Sequence, residues 1–506
     1  MKDYTVVKGY PLVKEQNEAV EFLLNRATAI NGLQTGLGKT LSTLTAAYWL
    51  LYKYKDLHLI VACPQKALKA FKKELSRSRV QFNVLESSKK DFTLNKRITV
   101  VTHTSMQKYE QDIVDLRARY RLMCIFDEAH CLQDPEGKLY KLVARMRPLF
   151  AVFWAATATP LKNDISGLYF MINIVRPNYL GSWEAFKYSY LKTKRTKIYQ
   201  KVWRGGRPIG IERTVEEILG YKNLDVLKSK LDDIIIIRQK KYNLEFHYLK
   251  TNLTNEEETF YLNAGAGLFM KKETKDVWAA RLHQLQRIVD NIHENYNTDE
   301  MKLSSKEKCL MKLLKDKLQS NEPCIVYFDY KEALDRIKFI LEKTKAYTGI
   351  HRILEVSGDI KIKQREEVEE LIDSKSIVLV TQAGTESINL QKANNVVFYD
   401  IPFAIQSFIQ MVGRVTRMDT KYDHQNIYFI EATGTSDTYR RMLIQLHADL
   451  IRALFGEINT LPFELTTIDK GTEKRLKNAL LWAFKQKRLA TEEEIARLFK
   501  NIESLE

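Results

Sequence analysis

The chain is short of cysteine and has no long apolar run, and each shortage removes a class of protein. Its five cysteines, Cys63, Cys124, Cys131, Cys309 and Cys324, form no CxxC pair and mostly sit in or beside apolar runs. That leaves neither a zinc-ligand pattern nor a disulfide framework, and the five read as reduced, packed thiols of a cytoplasmic protein. Met1 to Gln16 lacks the apolar core of a signal peptide, and Ile234 to Ile237 is far too short to span a bilayer. Acidic residues are also in deficit: 63 Asp and Glu face 80 Lys and Arg, giving a formal charge of +17 and a pI near 9.3. This balance points to a polyanionic partner. With no amphipathic basic helix in view, nucleic acid is favoured over a membrane surface, the bland alternative being a Lys-rich proteome. At 506 residues the chain exceeds one hydrophobic core and suggests about three domains.

The most informative segment is Leu33-Gln34-Thr35-Gly36-Leu37-Gly38-Lys39-Thr40, which follows the apolar stretch Ala27 to Asn31 and opens a helical one, Leu41 to Leu51. Gly36 and Gly38 let backbone N–H groups turn toward phosphate oxygens; Lys39 supplies a cation and Thr40 a hydroxyl for Mg²⁺. A nucleoside triphosphate is the expected ligand. The strict phosphate-loop pattern wants glycine at position 33, where this chain has Leu33, with Gly32 one place off. A second apolar run, Leu122 to Phe126, leads directly into Asp127-Glu128-Ala129-His130, as a strand buried on both faces of a parallel sheet would. There Asp127 can hold Mg²⁺ through water while Glu128 orients or deprotonates an attacking water.

Apolar strands alternate with amphipathic helices on both sides of these motifs, the pattern of a doubly wound α/β fold. Polar groups gather at strand C-terminal ends, where such sheets bind ligands: Thr102, His103 and Thr104 after one strand, Thr157 to Pro160 after another. A second alternation begins at Cys324 and has no phosphate loop. It carries Gln410-Met-Val-Gly413-Arg414-Val-Thr-Arg417, whose two arginines lie three apart on one helix face and can reach a triphosphate held by the first lobe.

In the order of these motifs, across residues 10 to 420, the chain resembles the superfamily 2 helicases and translocases. It looks most like the Swi/Snf-type motors and the bacteriophage branch-migration helicases. The resemblance implies two RecA-like lobes and assigns roles by position. Gln16, in Leu12 to Val20, would read adenine. Thr35, Gly36, Gly38, Lys39 and Thr40 fall on the ATP-binding loop; Asp127 to His130 form the DEAH box, and Thr157 to Asn163 follow as the third motif. Gly358 and Arg365 match the segment after the fourth motif. Thr381 precedes the fifth, Gln382 to Leu390, which includes Asn389. Gln410, Gly413, Arg414 and Arg417 match the sixth. ATP and Mg²⁺ are the implied cofactors. Two departures stand out: Thr385, Glu386 and Ser387 occupy a stretch that is glycine-rich in Swi/Snf motors, and Cys131-Leu132-Gln133-Asp134 replaces a basic-Asn pair. Chromatin remodelling is therefore not implied. The tract Gly220 to Arg238 is similar to one between the third and fourth motifs of Swi/Snf motors.

Between the lobes, Lys192 to Arg204 and Arg207 to Arg213 flank Gly205-Gly206 and read as a hairpin. From Lys192 to Arg213 there are eight basic residues and one acidic, a net of +7. Two readings stand: a DNA-engaging wedge, with Lys194, Arg195 and Lys197 on the backbone and Trp203 at the tip, or a solvated hairpin with charged edges. Thr102, His103, Thr104, Thr381 and Asn389 are the expected nucleic-acid contacts within the lobes, with strand capping as their plainer role. Apolar spacing at Leu476, Ala479, Leu480, Ala483 and Phe484, then a capping-box start at Thr491-Glu494, predicts a helical pair packed on the motor rather than a DNA-reading motif. The expected organisation is a first lobe over 1–180, an insertion and linker with the basic hairpin over 181–300, a second lobe over 301–465 and a helical extension over 466–506. The expected function is an ATP-dependent helicase or translocase, monomer favoured, acting on forked or branched DNA. Its rivals are an RNA helicase and a nucleotide-gated DNA-loading protein with little turnover.

Overall fold

The computed structural model describes residues 11–494, apart from 79, 87–89, 92, 94–95, 162–163, 205–206, 240–241, 270–277, 293–301, 349–351, 361, 385–389, 417–421, 423, 457–470 and 492. The first sheet is built from β1 (Thr28–Asn31), β2 (Leu57–Cys63), β3 (Asn83–Leu85), β4 (Lys90–Asp91), β5 (Ile98–Thr102), β6 (Arg121–Asp127) and β7 (Phe150–Ala156). Every residue of β2 is buried, because helices cover both faces. Leu59 and Val61 pack with Leu44, Leu51 and Phe71 on one side. Ile60 and Ala62 pack with Met106, Ile113 and Ile172 on the other, so a continuous apolar run is what this strand requires.

Two further strands, β8 (Leu191–Arg204) and β9 (Arg207–Tyr221), pair only with each other, antiparallel, from Leu191↔Tyr221 to Arg204↔Arg207. The expected hairpin thus forms, with strands that reach Tyr221; its two turn residues, Gly205 and Gly206, lie outside the described residues. The helix Leu224–Ile234 then returns the chain to the first sheet, where β10 (Ile235–Ile236) pairs parallel with β1. The completed order is β10-β1-β7-β6-β2-β5-β3-β4, parallel except for β4 against β3.

The second sheet runs β11-β16-β15-β12-β14-β13, all parallel. Its strands are β11 (Asn243–Thr251), β12 (Cys324–Phe328), β13 (Arg352–Val356), β14 (Ser376–Thr381), β15 (Asn395–Phe398) and β16 (His424–Ala432). Residues 181–300 therefore do more than link the lobes, since they supply β10 to one sheet and β11 to the other. In the C-terminal stretch, helix Gly471–Gln486 buries Ala479, Leu480, Ala483 and Phe484, and Phe484 stacks on Phe269 at 5.4 Å. Thr491 and Glu494 exchange capping bonds as expected, and the helix beyond them lies outside the described residues. Among the described residues no helix is long and apolar enough to cross a membrane.

Candidate active site

The glycine loop opens at the C-terminal end of β1. Gly32 is not part of the turn: its N–H donates to the Ile236 carbonyl at 2.8 Å, and a Cβ there would lie 2.9 Å from that oxygen. Leu33, the departure from the strict loop pattern, is fully buried among Ala19, Leu37 and Ile236. The position is thus used for packing, and the turn falls to Gly36 and Gly38, with φ of +84° and +76°, a region open to glycine. Lys39 begins the helix Lys39–Lys53 and folds back, its Nζ donating to the Leu33 carbonyl at 3.1 Å. Gln16 is 3 % exposed and braces the loop: its Oε1 accepts from Val13 N–H and its Nε2 donates to the Leu37 carbonyl, each at 3.1 Å.

The carboxylate pair closes β6. Asp127 is its last residue, and Glu128 follows in a left-handed conformation, φ 51°. Glu128 Oε2 lies 3.1 Å from His130 Nδ1, and the same nitrogen is 3.4 Å from Thr157 Oγ1. Gln133 Nε2 donates to the Pro160 carbonyl at 2.7 Å, so the turns after β6 and β7 are joined twice. Burial pushes the Asp127 carboxyl up to about 7, and the neighbouring Glu128 adds to the shift against the pull of Lys39. Burial also opposes ionisation of Glu128, but the His130 hydrogen bond and charge, together with Lys39, hold it below the usual carboxylate range. The two acids thus sit side by side at the end of β6, with His130 and Lys39 favouring the charged form of Glu128. Burial lowers Lys39, and Arg414 lowers it further, against the attraction of Glu128 and Asp127.

That influence of Arg414 crosses from one lobe to the other. The helix Ile405–Val415 of the second lobe brings Gly413 so near the loop that a Cβ there would lie 2.8 Å from Thr35 Cβ. Gln410 sits half-buried one turn before Arg414, and Arg417 lies outside the described residues. At the end of β14, Thr381 is buried, and Arg365 holds the next turn through the carbonyls of Ala383 at 3.2 Å and Ile360 at 2.9 Å. Asn389, with the departures Thr385, Glu386 and Ser387, lies outside the described residues.

The three groups expected to face phosphates after β5 differ in exposure and in local contacts. Thr102 is 1 % exposed and donates to Ser105 Oγ at 2.7 Å, which is the strand-capping role. His103 stacks on Phe126 at 4.5 Å, and burial lowers its imidazole to about 4, so it is neutral at physiological pH. Thr104 is exposed. On the hairpin Lys194, Arg195 and Lys197 are exposed, Arg195 with Glu216 at 3.6 Å, and Trp203 pairs with Pro208 beside the turn. Sequence reasoning passed over Asn31, a fully buried amide at the loop's root, and Arg238, whose carbonyl accepts from Gln34 N–H at 3.0 Å and whose side chain pairs with Glu18. A polar residue ending an apolar strand was the only available signal for the first.

Two parallel-sheet lobes that converge on a glycine loop, a lysine, a carboxylate pair and an arginine from the opposite lobe define a nucleotide-driven motor. The SNF2-related domain matches residues 15–323 and the helicase conserved C-terminal domain residues 305–419, so the chain belongs to the SNF2-related family of superfamily 2. Membership makes it an ATP-dependent enzyme of the helicase class. It is 23% identical over 502 residues to the "Uncharacterized ATP-dependent helicase YqhH" of Bacillus subtilis, covering 94% of this chain and 83% of that protein. It is 22% identical over 457 residues to "DNA repair and recombination protein RAD54-like" of Drosophila yakuba, covering 79% of this chain and 57% of that one; the chain thus spans little more than half of that relative's length. The Sulfolobus solfataricus SWI2/SNF2 ATPase core in complex with dsDNA aligns over 97% of this chain and 99% of its own, at 20% identity and a TM-score of 0.40.

Proposed function

We propose that the chain translocates along DNA by hydrolysing ATP and remodels forked or branched junctions as a monomer in the cytoplasm. The observation that carries this reading is the convergence of Arg414 and Gly413 of one lobe on Lys39 and Thr35 of the other. A triphosphate held by Gly36, Gly38, Lys39 and Thr40 would be reached by Arg414 only while the lobes stay closed, so hydrolysis becomes a switch between two arrangements. Glu128 suits the water-orienting role because it follows Asp127 at the strand end with its carboxylate 3.1 Å from His130 Nδ1, and Gln410 and Arg417 belong to the same arginine-bearing segment. Thr40 and Asp127 offer a hydroxyl and a carboxylate, hard oxygen donors that suit Mg²⁺ with waters and phosphate oxygens completing its shell. Bound there, Mg²⁺ would neutralise charge developing on the phosphates. Gln16 would meet adenine by exchanging its present backbone bonds.

The branched substrate is favoured by the basic hairpin, whose Lys194, Arg195 and Lys197 are exposed and which the sheets do not need for their own closure. The test is DNA-stimulated ATP hydrolysis and strand displacement on forks, four-way junctions, blunt duplex and RNA side by side. Stimulation by every DNA, with displacement or migration confined to forks and junctions, is the expected outcome. Stimulation by RNA alone would assign the rival helicase class, and DNA binding without turnover would assign a loading protein.

A further inference from the structure

We infer that Asn31 is a positioning residue for the nucleotide, pinning both ends of the glycine loop; the inference rests on that loop being the ATP site. Asn31 ends β1 with no exposed surface, where the sheet would otherwise take an apolar side chain. Its Oδ1 accepts from the Leu33 N–H at 3.2 Å, at the entrance to the loop. Its Nδ2 donates to Ser42 Oγ at 3.0 Å and Thr43 Oγ1 at 2.8 Å, on the first turn of the helix after it. Those hydroxyls in turn donate to the Lys39 carbonyl at 3.0 and 2.7 Å. One buried amide therefore fixes the spacing between the start of the loop and the turn that carries Lys39 and Thr40. The backbone carbonyl of Asn31 also accepts from Thr157 N–H at 3.0 Å, which keeps the residue itself in register with β7.

A group that fixes the loop before and during reaction acts on ground state and transition state alike, so its loss should appear in KM rather than kcat. In the full-length protein, Asn31→Ala should raise the KM for ATP about tenfold, the cost of one or two buried hydrogen bonds, and leave kcat at saturating ATP within about threefold. The pair Ser42→Ala with Thr43→Val removes the same bonds from the other side. It should give a similar KM, and combining it with Asn31→Ala should add little more. Nucleotide-free DNA affinity and the melting curve report folding, and if Asn31→Ala does not fold, the hydroxyl pair carries the test. Lys39→Ala is measured alongside. If it abolishes ATP binding while both loop-pin variants keep KM within about twofold of the parent, or their effects simply add, Asn31 is a core asparagine without a positioning role. If Lys39→Ala itself leaves ATP binding intact, the nucleotide site has been misassigned and the reading beneath this inference fails first.

Discussion

At the scale of single residues the site separates holding from reacting. Lys39 lies inside the loop it would share with phosphates, bonded to the Leu33 carbonyl, whereas Glu128 stands outside that cradle with His130. Lys39→Ala should therefore weaken ATP binding, while Glu128→Gln should bind ATP and lose turnover by orders of magnitude. A Glu128→Gln protein hydrolysing at the parental rate in saturating DNA would remove the water-orienting assignment. On the proposed reading Arg414 acts across the cleft, on charge that would develop only as the terminal phosphoryl departs. Arg414→Ala should keep ATP affinity within a few-fold and lower DNA-stimulated kcat by about 10³. Equal losses in affinity and in turnover would make it a ground-state contact. Residue identity alone was enough to nominate all three, because glycine spacing and adjacent carboxylates carry their chemistry in one dimension. It was not enough for Asn31 or Gln133, whose roles arise from what a fold brings beside them.

At the scale of elements the hairpin of β8 and β9 is the part whose role most needs measurement. Its paired strands make it stiff, its exposed lysines and arginine suit a phosphate backbone, and Trp203 stands at its tip. Lys194, Arg195 and Lys197 changed to alanine should weaken DNA binding and flatten its dependence on salt, by about one power of salt concentration per lost contact. Trp203→Ala should instead reduce fork unwinding or branch migration much more than DNA-stimulated hydrolysis. Should deletion of 194–212 leave unwinding per ATP unchanged in a folded protein, the segment is a solvated hairpin and no wedge. Central strands such as Leu57–Cys63 and Cys324–Phe328 were legible in the sequence because burial on two faces demands unbroken apolar runs. The edge strands β10 and β11 were not. Ile235–Ile236 is two residues long, and Asn243–Thr251 has no buried residue, so neither shows the run that marks its neighbours. Thr102 and His103 stay open to two roles for a related reason: a polar residue at a strand end looks the same in sequence whether it faces a ligand or caps the turn.

At the scale of the whole molecule, the second lobe depends on a buried ionic cluster that ties its sheet to the helices over it. Lys306, 1 % exposed, lies 2.7 Å from Asp290, 3.0 Å from Asp437 and 3.8 Å from Asp400, with the Tyr399 ring 4.7 Å away. Gln286 bonds both Asp290 and Asp437, Asp329 N–H donates to Asp400 at 2.8 Å, and Arg440 pairs with Asp329 at 2.6 Å. One lysine cannot balance three buried carboxylates, so burial, and then the charge of Asp290, pushes Asp400 well above the carboxylate range. Burial likewise raises Asp290, against the pull of Lys306. The fold therefore disfavours the Asp400 carboxylate relative to the unfolded chain, in which it ionises freely near neutrality. A carboxyl raised by folding contributes nothing unfavourable below its unfolded pKa, and it costs stability progressively as pH climbs from there toward its folded value. Asp400→Asn keeps a neutral donor for Asp290 and removes that cost, so the variant should melt higher than the parent near pH 7, by about 2 °C or more, and converge with it near about pH 4. Lys306→Met, which strands the carboxylates without their cation, should lose about 3 kcal/mol or more. Melting curves for parent and Asp400→Asn across this pH range decide the matter, since parallel profiles would mean that Asp400 is ionised in the fold and that Lys306 alone carries the cluster.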